Sequence, residues 1–511
     1  MALRDDRLPR RKIRSVTPES TNAVLAQRYD AIAYDAIAHP LTHPNRLATV
    51  ATFLGMSPPA VATCRVLEVG CNDGANLIPM ALTLPGAQFV GCDLSPRAIE
   101  AGRVTIDALG LSNVTLVEED LAALSPLHGT FDYILAHGVY SWVPPAVRDS
   151  LFALAKARLA PSGVMFVSFN ALPGCRVRQA AWEILHFHVD RIADPRARLD
   201  AARTLAKIIA EGGKVLHEAD EATRAEFRAI AERTDSALFH DDLAVPNDPV
   251  YFHEFVAHAG RFGLRYLAEA ELHSMSGAGL SADARAFLSS QDPMAREQYL
   301  DFVRMRRFRQ SLLRHEDSGT PLTMHPQRIV AMHVAADGSL LRAAAAGKVA
   351  ELARGLDPPG GGGGPVRALL EALIRGSPLA LAPEEIAAMP GLDGLPRPLA
   401  AILTDAYVAG IVNLHVHPPV LAGVAGDRPV ASPLARWQAR SQEDVTSLLH
   451  ARVHLPDANA RRLLTLLDGT RDRAELGAAM HGGAFRDDRA MAAAFVNHAL
   501  EQFARLALLE A

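Results

Sequence analysis

Among the residues able to do chemistry, the acids around one short loop stand first. Residues 66–74 read Val-Leu-Glu-Val-Gly-Cys-Asn-Asp-Gly, and Val90-Gly91-Cys92-Asp93 follows one helix later. An apolar strand, a glycine-bracketed loop, a helix and a second strand ending in an acid form the first half of a nucleotide-binding sheet. The loop Gly70-Cys71-Asn72-Asp73-Gly74 is not G-x-G-x-x-G, and Glu68 and Asp73 lie close to where a dinucleotide places its pyrophosphate. Like charges about 4 Å apart near a surface lose roughly 4 kcal/mol, and opposite charges gain as much. The pattern disfavours phosphate and suits an adenosyl ligand with a cationic tail. S-adenosylmethionine, with its sulfonium and ammonium, has that chemistry.

Each residue of the loop series then takes an expected role. Asp93 accepts from both ribose hydroxyls; the competing reading is that it only helps Ser95 cap the next helix. Asp120 ends the third strand and reaches the adenine amino group, with Leu121 over the ring. Glu68 and Asn72 face the methionine half, and Asn72 tolerates the left-handed backbone that such a loop needs. Gly70, Gly74, Asn76, Leu94, His137 and Gly138 complete the cofactor-binding set. The fourth strand runs into His137–Pro144, where the methyl acceptor enters. Methyl transfer is an in-line displacement, so the protein must chiefly align the partners and exclude water. Asn/Asp-Pro-Pro-Tyr/Phe, which marks adenine-N6 methylases, is not present here. Tyr140 and Trp142 instead offer ring faces and a hydroxyl to an aliphatic amine, the competing reading being that both aromatics merely pack the sheet's edge. His186 and His188 cannot share a helix face, and His415 and His417 have no visible third ligand, so no metal is expected.

Positioning these residues requires alternating strands and helices. Strands are expected at Arg65–Gly70, Gln88–Leu94, Val114–Asp120, Phe131–His137 and Gly163–Asn170. The helix after the second is signed by Ser95 as cap, Pro96 at its first position and Gly110 at its end. The fold class is therefore α/β, a doubly wound sheet with helices on both faces. Residues 177–240 read as a helical insertion. A helix over Phe252–Phe262 leads to a strand over Leu264–Leu272. A helix over Asp283–Arg314, broken at Pro293, leads to a strand candidate at Gln327–Ala336, and these two strands are expected to close the sheet. Pro358–Pro365 is a hinge. Beyond it a helix-helix-helix-strand order occurs twice, over residues 366–414 and 460–509, giving two winged-helix-like modules. Residues 344–511 hold 16 Lys or Arg against 18 Asp or Glu, which favours protein contact over DNA. The expected domains are an N-terminal arm and lid (1–63), the core (64–176), an insertion and middle region (177–343) and the two modules (344–420 and 421–511).

Composition excludes other classes. A chain of 511 residues exceeds one core and suggests three or four domains. A net charge of −5 argues against a general nucleic-acid binder. Four cysteines without a C-x-x-C pair indicate neither a zinc knuckle nor a disulfide scaffold. Met1–Arg14 is basic without a following apolar run, unlike a secretory signal, and no stretch reaches the ~18 apolar residues of a membrane span. A cytoplasmic location without membrane insertion is expected.

These residues resemble class I SAM-dependent methyltransferases, and more narrowly a bacterial group with a methyltransferase regulatory domain that includes rickettsial outer-membrane-protein lysine methyltransferases. The marks are Tyr29-Asp30, Tyr34-Asp35, Thr42-His43-Pro44, the Glu68–Gly74 loop with Asn76-Leu77-Ile78-Pro79, and His137–Pro144. Further on come Ser168–Gly174, Tyr251–Phe255, Phe308-Arg309-Gln310 and Leu467–Thr470. The resemblance implies that Tyr29, Tyr34 and His43 belong to a lid over the cofactor, and that the later domains present a protein substrate. Phe169 and Cys175 depart from the group's usual Tyr and Trp. The leading expectation is N-methylation of protein lysine, with Tyr140 and Asn170 aligning the acceptor, Trp142 as wall, and Tyr140, Tyr34 or Asn170 relaying the proton. A small-molecule or cell-surface-precursor methyltransferase and a non-catalytic SAM-binding adaptor are the alternatives. Truncation after Asp357 is expected to separate a protein methylase from a small-molecule enzyme. The insertion is read as a lid or as the interface of a homodimer.

Overall fold

The computed structural model describes residues 34–125, 129–213, 217–317, 324–356, 364–395, 397–481 and 488–511, together with Ile32 and Phe485. Five strands fall where the alternation predicts: β1 (Arg65–Val69), β2 (Gln88–Asp93), β3 (Val114–Glu118), β4 (Phe131–Ala136) and β5 (Leu159–Asn170). They pair in parallel in the order β3-β2-β1-β4-β5. The helix Pro96–Leu109 forms as its signals require. Ser95 Oγ accepts from the Ala98 N–H, Pro96 opens the first turn, and Gly110 closes it at φ +64. Apolar residues of alternate strand positions split between the two faces. Val66, Phe89 and Leu135 pack on one side, while Leu67, Ile134 and Val167 pack on the other.

The closing strands correct one expectation. β6 (Leu264–Glu269) is where it was expected, but its partner is β7 (Phe308–His315), inserted between β5 and β6 and antiparallel to both. The segment expected as helix over Asp283–Arg314 breaks before Pro293 as expected, into Ala282–Ser289 and Pro293–Arg304, but ends at Arg304 and gives way to β7. Residues 327–336 instead give a short helix, Pro326–Ile329, and β8 (His333–Ala336), which pairs with β9 (Val412–His415) in a separate two-stranded sheet.

β7 reads as polar because it carries a charge in the interior. Arg309 is fully buried, with Nη1 2.6 Å from Glu269 Oε1, Nε 2.9 Å from Asp301 Oδ2 and Nη2 3.2 Å from Glu297 Oε2. Its guanidinium also lies 4.0 Å from the Phe252 ring centre. Arg306 adds a second cation, 3.0 Å from Asp301. Burial beside the neighbouring Glu269 pushes the Glu297 carboxyl up to about 7 despite Arg309.

The first C-terminal module does not fold around a core of its own. One apolar cluster runs from Val66 and Leu135 through the helix Pro44–Phe53 to Leu369, Ile402 and Leu414. Polar bonds fasten the same contact. Asn45 Nδ2 lies 2.8 Å from His415 Nδ1, and the Val416 N–H donates to Thr49 Oγ1. A boundary at 343/344 therefore cuts a shared core, and truncation after Asp357 would strip the sheet of packing, so it does not discriminate the two enzyme readings. Residues 358–363 of the expected hinge lie outside the described residues. By contrast, the insertion helices Arg176–Val189, Pro195–Glu211 and Glu218–Ala231 pack around Leu185, Leu199 and Phe227. The final module packs around Leu463, Leu476 and Phe503, and carries a hairpin of β10 (Asp444–Thr446) and β11 (Arg452–His454).

Arg309→Met should lower unfolding stability by about 3–5 kcal/mol, because the carboxylates would keep their burial and lose their main cation. Urea denaturation followed by circular dichroism measures this, and an unchanged midpoint would remove the role given to the guanidinium.

Candidate functional site

A cleft of about 350 Å³ opens beyond the carboxyl ends of the parallel strands, beneath the segment that carries Tyr34 and His39. Toward β3 it is lined by Glu68, Gly70, Asn72, Asp93, Leu94, Asp120 and Leu121, and toward β7 by Trp142 and Asn170. Asn76, His137 and Gly138 lie along it as well. Sequence spacing thus placed most of the expected residues in one cavity.

The loop after β1 owes its shape to backbone conformations that its residues permit. Asn72 takes φ +50, as its type allows. Its N–H donates to Asp93 Oδ2 at 2.9 Å, while the Ser95 N–H donates to Asp93 Oδ1 at 2.9 Å. Asp93 is therefore both a cap and a cleft residue. Two backbone donors hold its plane. Asp73 differs from expectation, because its Oδ1 accepts from the Ala75 N–H within the loop and it does not line the cleft. Glu119, which had no expected role, lines the cleft beside Asp120.

Three buried polar atoms of the lining have no hydrogen-bond partner among the described residues: Glu68 Oε2, His137 Nδ1 and Trp142 Nε1. Burial, with Asp93 and Asp73 nearby, pushes Glu68 up to about 8, although Asn76 Nδ2 donates to it at 2.7 Å. A cation arriving beside Glu68 would draw it back to the ionised form. The donor set fits an adenosyl group with a positive tail: carboxylates for hydroxyls and amines, apolar Leu94 and Leu121, and no lysine in the lining.

Among the described residues, three expected site residues stand elsewhere. Tyr140 is buried against Phe152, Phe169 and Phe255, and its hydroxyl lies 2.8 Å from His258 Nδ1, whose Nε2 lies 2.8 Å from Asp149. The packing reading holds for Tyr140, whereas Trp142 faces the cleft. His43 caps the helix Pro44–Phe53 by accepting from the Asn45 N–H and is not part of the cleft wall. Gly74, at φ +75, turns its Cα against Leu116 rather than the cleft; a Cβ there would sit 2.9 Å from Leu116 Cδ1. Tyr29 lies outside the described residues. The two departures from the group's pattern lie off the cleft. Phe169 stacks on Phe255 at 4.1 Å, and Cys175 Sγ donates to the Arg307 carbonyl.

Sequence reasoning missed the far end of the cleft, formed by Arg178, His240, Asp241, Arg307 and Phe308. His240 and Asp241 sit in a π-helical turn, Leu238–Asp242, an element that is rare and frequent at functional sites. Their one signal was a His-Asp-Asp run ending an Ala-, Arg- and Glu-rich stretch. Tyr34 covers this end, its ring 5.3 Å from that of His240. Asn170 is oriented by a chain of amides. Asn247 Nδ2 donates to the Asp241 carbonyl, so Asn247 Oδ1 accepts from Asn170 Nδ2 at 2.8 Å. The Asn170 carbonyl oxygen is left as the acceptor at the cleft.

Comparison with known proteins bears out the resemblance read from the motifs. A family described as a methyltransferase domain matches residues 67–165, one described as a predicted methyltransferase regulatory domain matches 234–315, and one described as the PKMT C-terminal winged helix domain matches 427–487. The uncharacterized Rickettsia prowazekii protein RP789 is 35% identical over 293 residues, 57% of this chain, and the chain spans only 53% of that protein's length. RP028 of the same organism is 33% identical over 232 residues, 45% of this chain and 93% of that protein. PKMT2 from Rickettsia typhi, solved in complex with AdoHcy, superposes with a TM-score of 0.78 at 25% identity, covering 93% of this chain and 99% of that one. Among the described residues no helix is long and apolar enough to cross a membrane.

Four imidazoles around the cleft and the neighbouring helix are held neutral by burial: His39 and His415 near 4, His43 and His137 near 3. The rings of His39 and His137 lie 3.8 Å apart. In the unfolded chain these rings take up protons below about 6.5; in the folded chain they do so only near 4 or lower. Their stability contribution is thus complete above pH 6.5 and is lost as pH falls toward 4. Glu68, Asp73, Asp241, Glu297, Asp301 and Glu510, all raised by burial, act in the opposite sense, but with His258, His417 and His450 also lowered by burial seven rings face six carboxyls. The urea midpoint at pH 5 should lie below that at pH 7.5, and an equal or higher value at pH 5 would contradict the burial of neutral rings.

Proposed function

This chain belongs to the family of methyltransferases that carry a methyltransferase regulatory domain, and on that premise we propose that it methylates lysine side chains of a protein with S-adenosylmethionine as donor. The observation that carries the reading is a single cleft joining a carboxylate-rich nucleoside end to an amide- and indole-walled end. When bound, S-adenosylmethionine supplies an electrophilic methyl carbon on a sulfonium. The protein's own part is to hold the nucleoside, orient the amine and keep water away.

At the nucleoside end Asp93 takes the ribose hydroxyls and Asp120 the adenine amine. Glu68 receives the ammonium of the amino-acid tail. At the other end a lysine arrives protonated and has no lone pair to offer. The Asn170 carbonyl oxygen accepts an N–H of the amine and aims it, while Asp241, the carboxylate of that end, takes the proton. Burial raises the Asp241 carboxyl despite Arg178 and Arg233 nearby, which brings it closer to the basicity such a step needs. Trp142 and Tyr34 form the walls that exclude water.

Incubation of the protein with labelled S-adenosylmethionine and cell extract tests the reading: label should appear on lysine in a protein band, and label confined to small molecules would overturn it. Asp93→Ala should weaken donor binding by about 10- to 100-fold, the range for a hydrogen bond to a charged group. Asn170→Ala should lower kcat by about 100-fold, as misplacement of a reacting group does, with donor Kd unchanged by calorimetry. Donor binding near pH 7 should also release a proton from Glu68, seen as a heat that differs between phosphate and Tris buffers.

The same reading takes the chain as a homodimer through its helical insertion. Ile184 and Phe187 share a face of Arg176–Val189, and Phe187 is 90% exposed. Phe187→Ser should shift the sedimentation coefficient from dimer to monomer; an unaltered protein that already sediments as a monomer would remove this assignment.

A further inference from the structure

His450 lies in the turn between β10 and β11 of the C-terminal module, yet only 5% of it is exposed. Turn residues normally face water. Its φ of +58 is left-handed, which side-chain-bearing residues seldom adopt. Such a conformation persists where the surroundings over-determine it, and it is a reason to look for function. The ring reaches out of its own module. His450 Nε2 is 2.8 Å from Asn76 Oδ1, a residue 374 positions earlier in the chain.

The polarity of this contact follows from its neighbours. The backbone N–H of His39, which can only donate, lies 2.9 Å from the same Asn76 atom. That atom is therefore the carbonyl oxygen, and the NH₂ of Asn76 faces Glu68 Oε1 at 2.7 Å. A carbonyl oxygen only accepts, so His450 carries its proton on Nε2. Its Nδ1 has no hydrogen-bond partner among the described residues. One carboxamide thus gathers the covering segment at His39, the cleft acid Glu68 and a ring from the C-terminal module.

We infer that His450 is a positioning residue of the donor pocket: it fixes the Asn76 carboxamide, and through it Glu68, so that the last module supplies a part of a site built on the first. The inference rests on the donor reading of the cleft. The hairpin tip is anchored independently of the ring, since the Leu448 N–H donates to the Ala507 carbonyl at 2.9 Å and the His450 N–H to the Ser447 carbonyl at 3.0 Å. Changing the ring removes a donor and leaves the tip in place. Asn76 then keeps the His39 N–H and Thr42, whose Oγ1 lies 3.0 Å from Asn76 Nδ2, but gains freedom to turn, and Glu68 loses a fixed N–H partner.

The test is calorimetric titration of S-adenosylhomocysteine into the full chain as unaltered protein, His450→Ala and His450→Gln, with thermal melting of each. His450→Ala should bind about fivefold to tenfold more weakly, the effect of one net hydrogen bond. His450→Gln, whose side-chain N–H can take the place of Nε2–H, should recover most of the affinity while melting no higher than His450→Ala. Unchanged affinity in His450→Ala would overturn the inference. So would equal weakening in both variants, which would reduce the ring to packing. If the unaltered protein failed to bind, the donor reading would fall and this inference with it, whereas tight binding by both the unaltered protein and His450→Ala would defeat the inference alone.

Discussion

The buried guanidinium of Arg309 is the constraint on which the rest depends. A cation with no access to water must be matched by carboxylates in fixed places, and Glu269 from β6 and Glu297 and Asp301 from the preceding helix supply them. The match sets register. β7 pairs with β5 so that Arg309 lies opposite Phe169 and Phe308 opposite Asn170. Successive residues of a strand face opposite sides, and a slip of one residue would turn the guanidinium out of its cage. With the register held, Asn170 and Phe308 share the cleft face while Phe169 and Arg309 share the face packed by Phe252 and Phe255.

That alternation explains what the sequence made legible and what it hid. The first half of the sheet was readable because its strands are apolar and its turns carry their own signals, such as Ser95, Pro96, Gly110 and Asn72. β7 was hidden because Arg309, Gln310 and Ser311 give it a helix-like composition, and only tertiary partners make that composition tolerable. Tyr140 and Trp142, two positions apart, carried the same chemical promise. Their separation between core and cleft depends on a turn whose direction no local pattern encodes. His240, Asp241 and His450 escaped notice for a related reason: the first two line the cleft and the third touches Asn76 of its lining, each from an element far away in sequence whose own neighbours carry no motif.

The electrostatic inference survives in altered form. Asp73 was expected to repel phosphate but is occupied within the loop, and Glu68 in its buried position is pushed up to about 8. What disfavours diphosphate is the wider set of Glu68, Asp93, Glu119 and Asp120 at the nucleoside end, with Arg178 and Arg307 confined to the opposite end. The acidic end therefore suits a ligand whose base and hydroxyls meet Asp120 and Asp93 and whose cationic tail meets Glu68.

The bond between Asn45 and His415 joins residues 370 positions apart, and it has a consequence for the nascent chain. As synthesis proceeds from the amino end, the sheet can assemble while the helix Pro44–Phe53 still exposes the apolar face that awaits residues 366–414. Contacts of such separation close late, and open hydrophobic surface in the interim is prone to aggregation. A ribosome translating this message thus holds a half-covered sheet until residues 366–414 have emerged, and chaperone demand is written into the order of its segments.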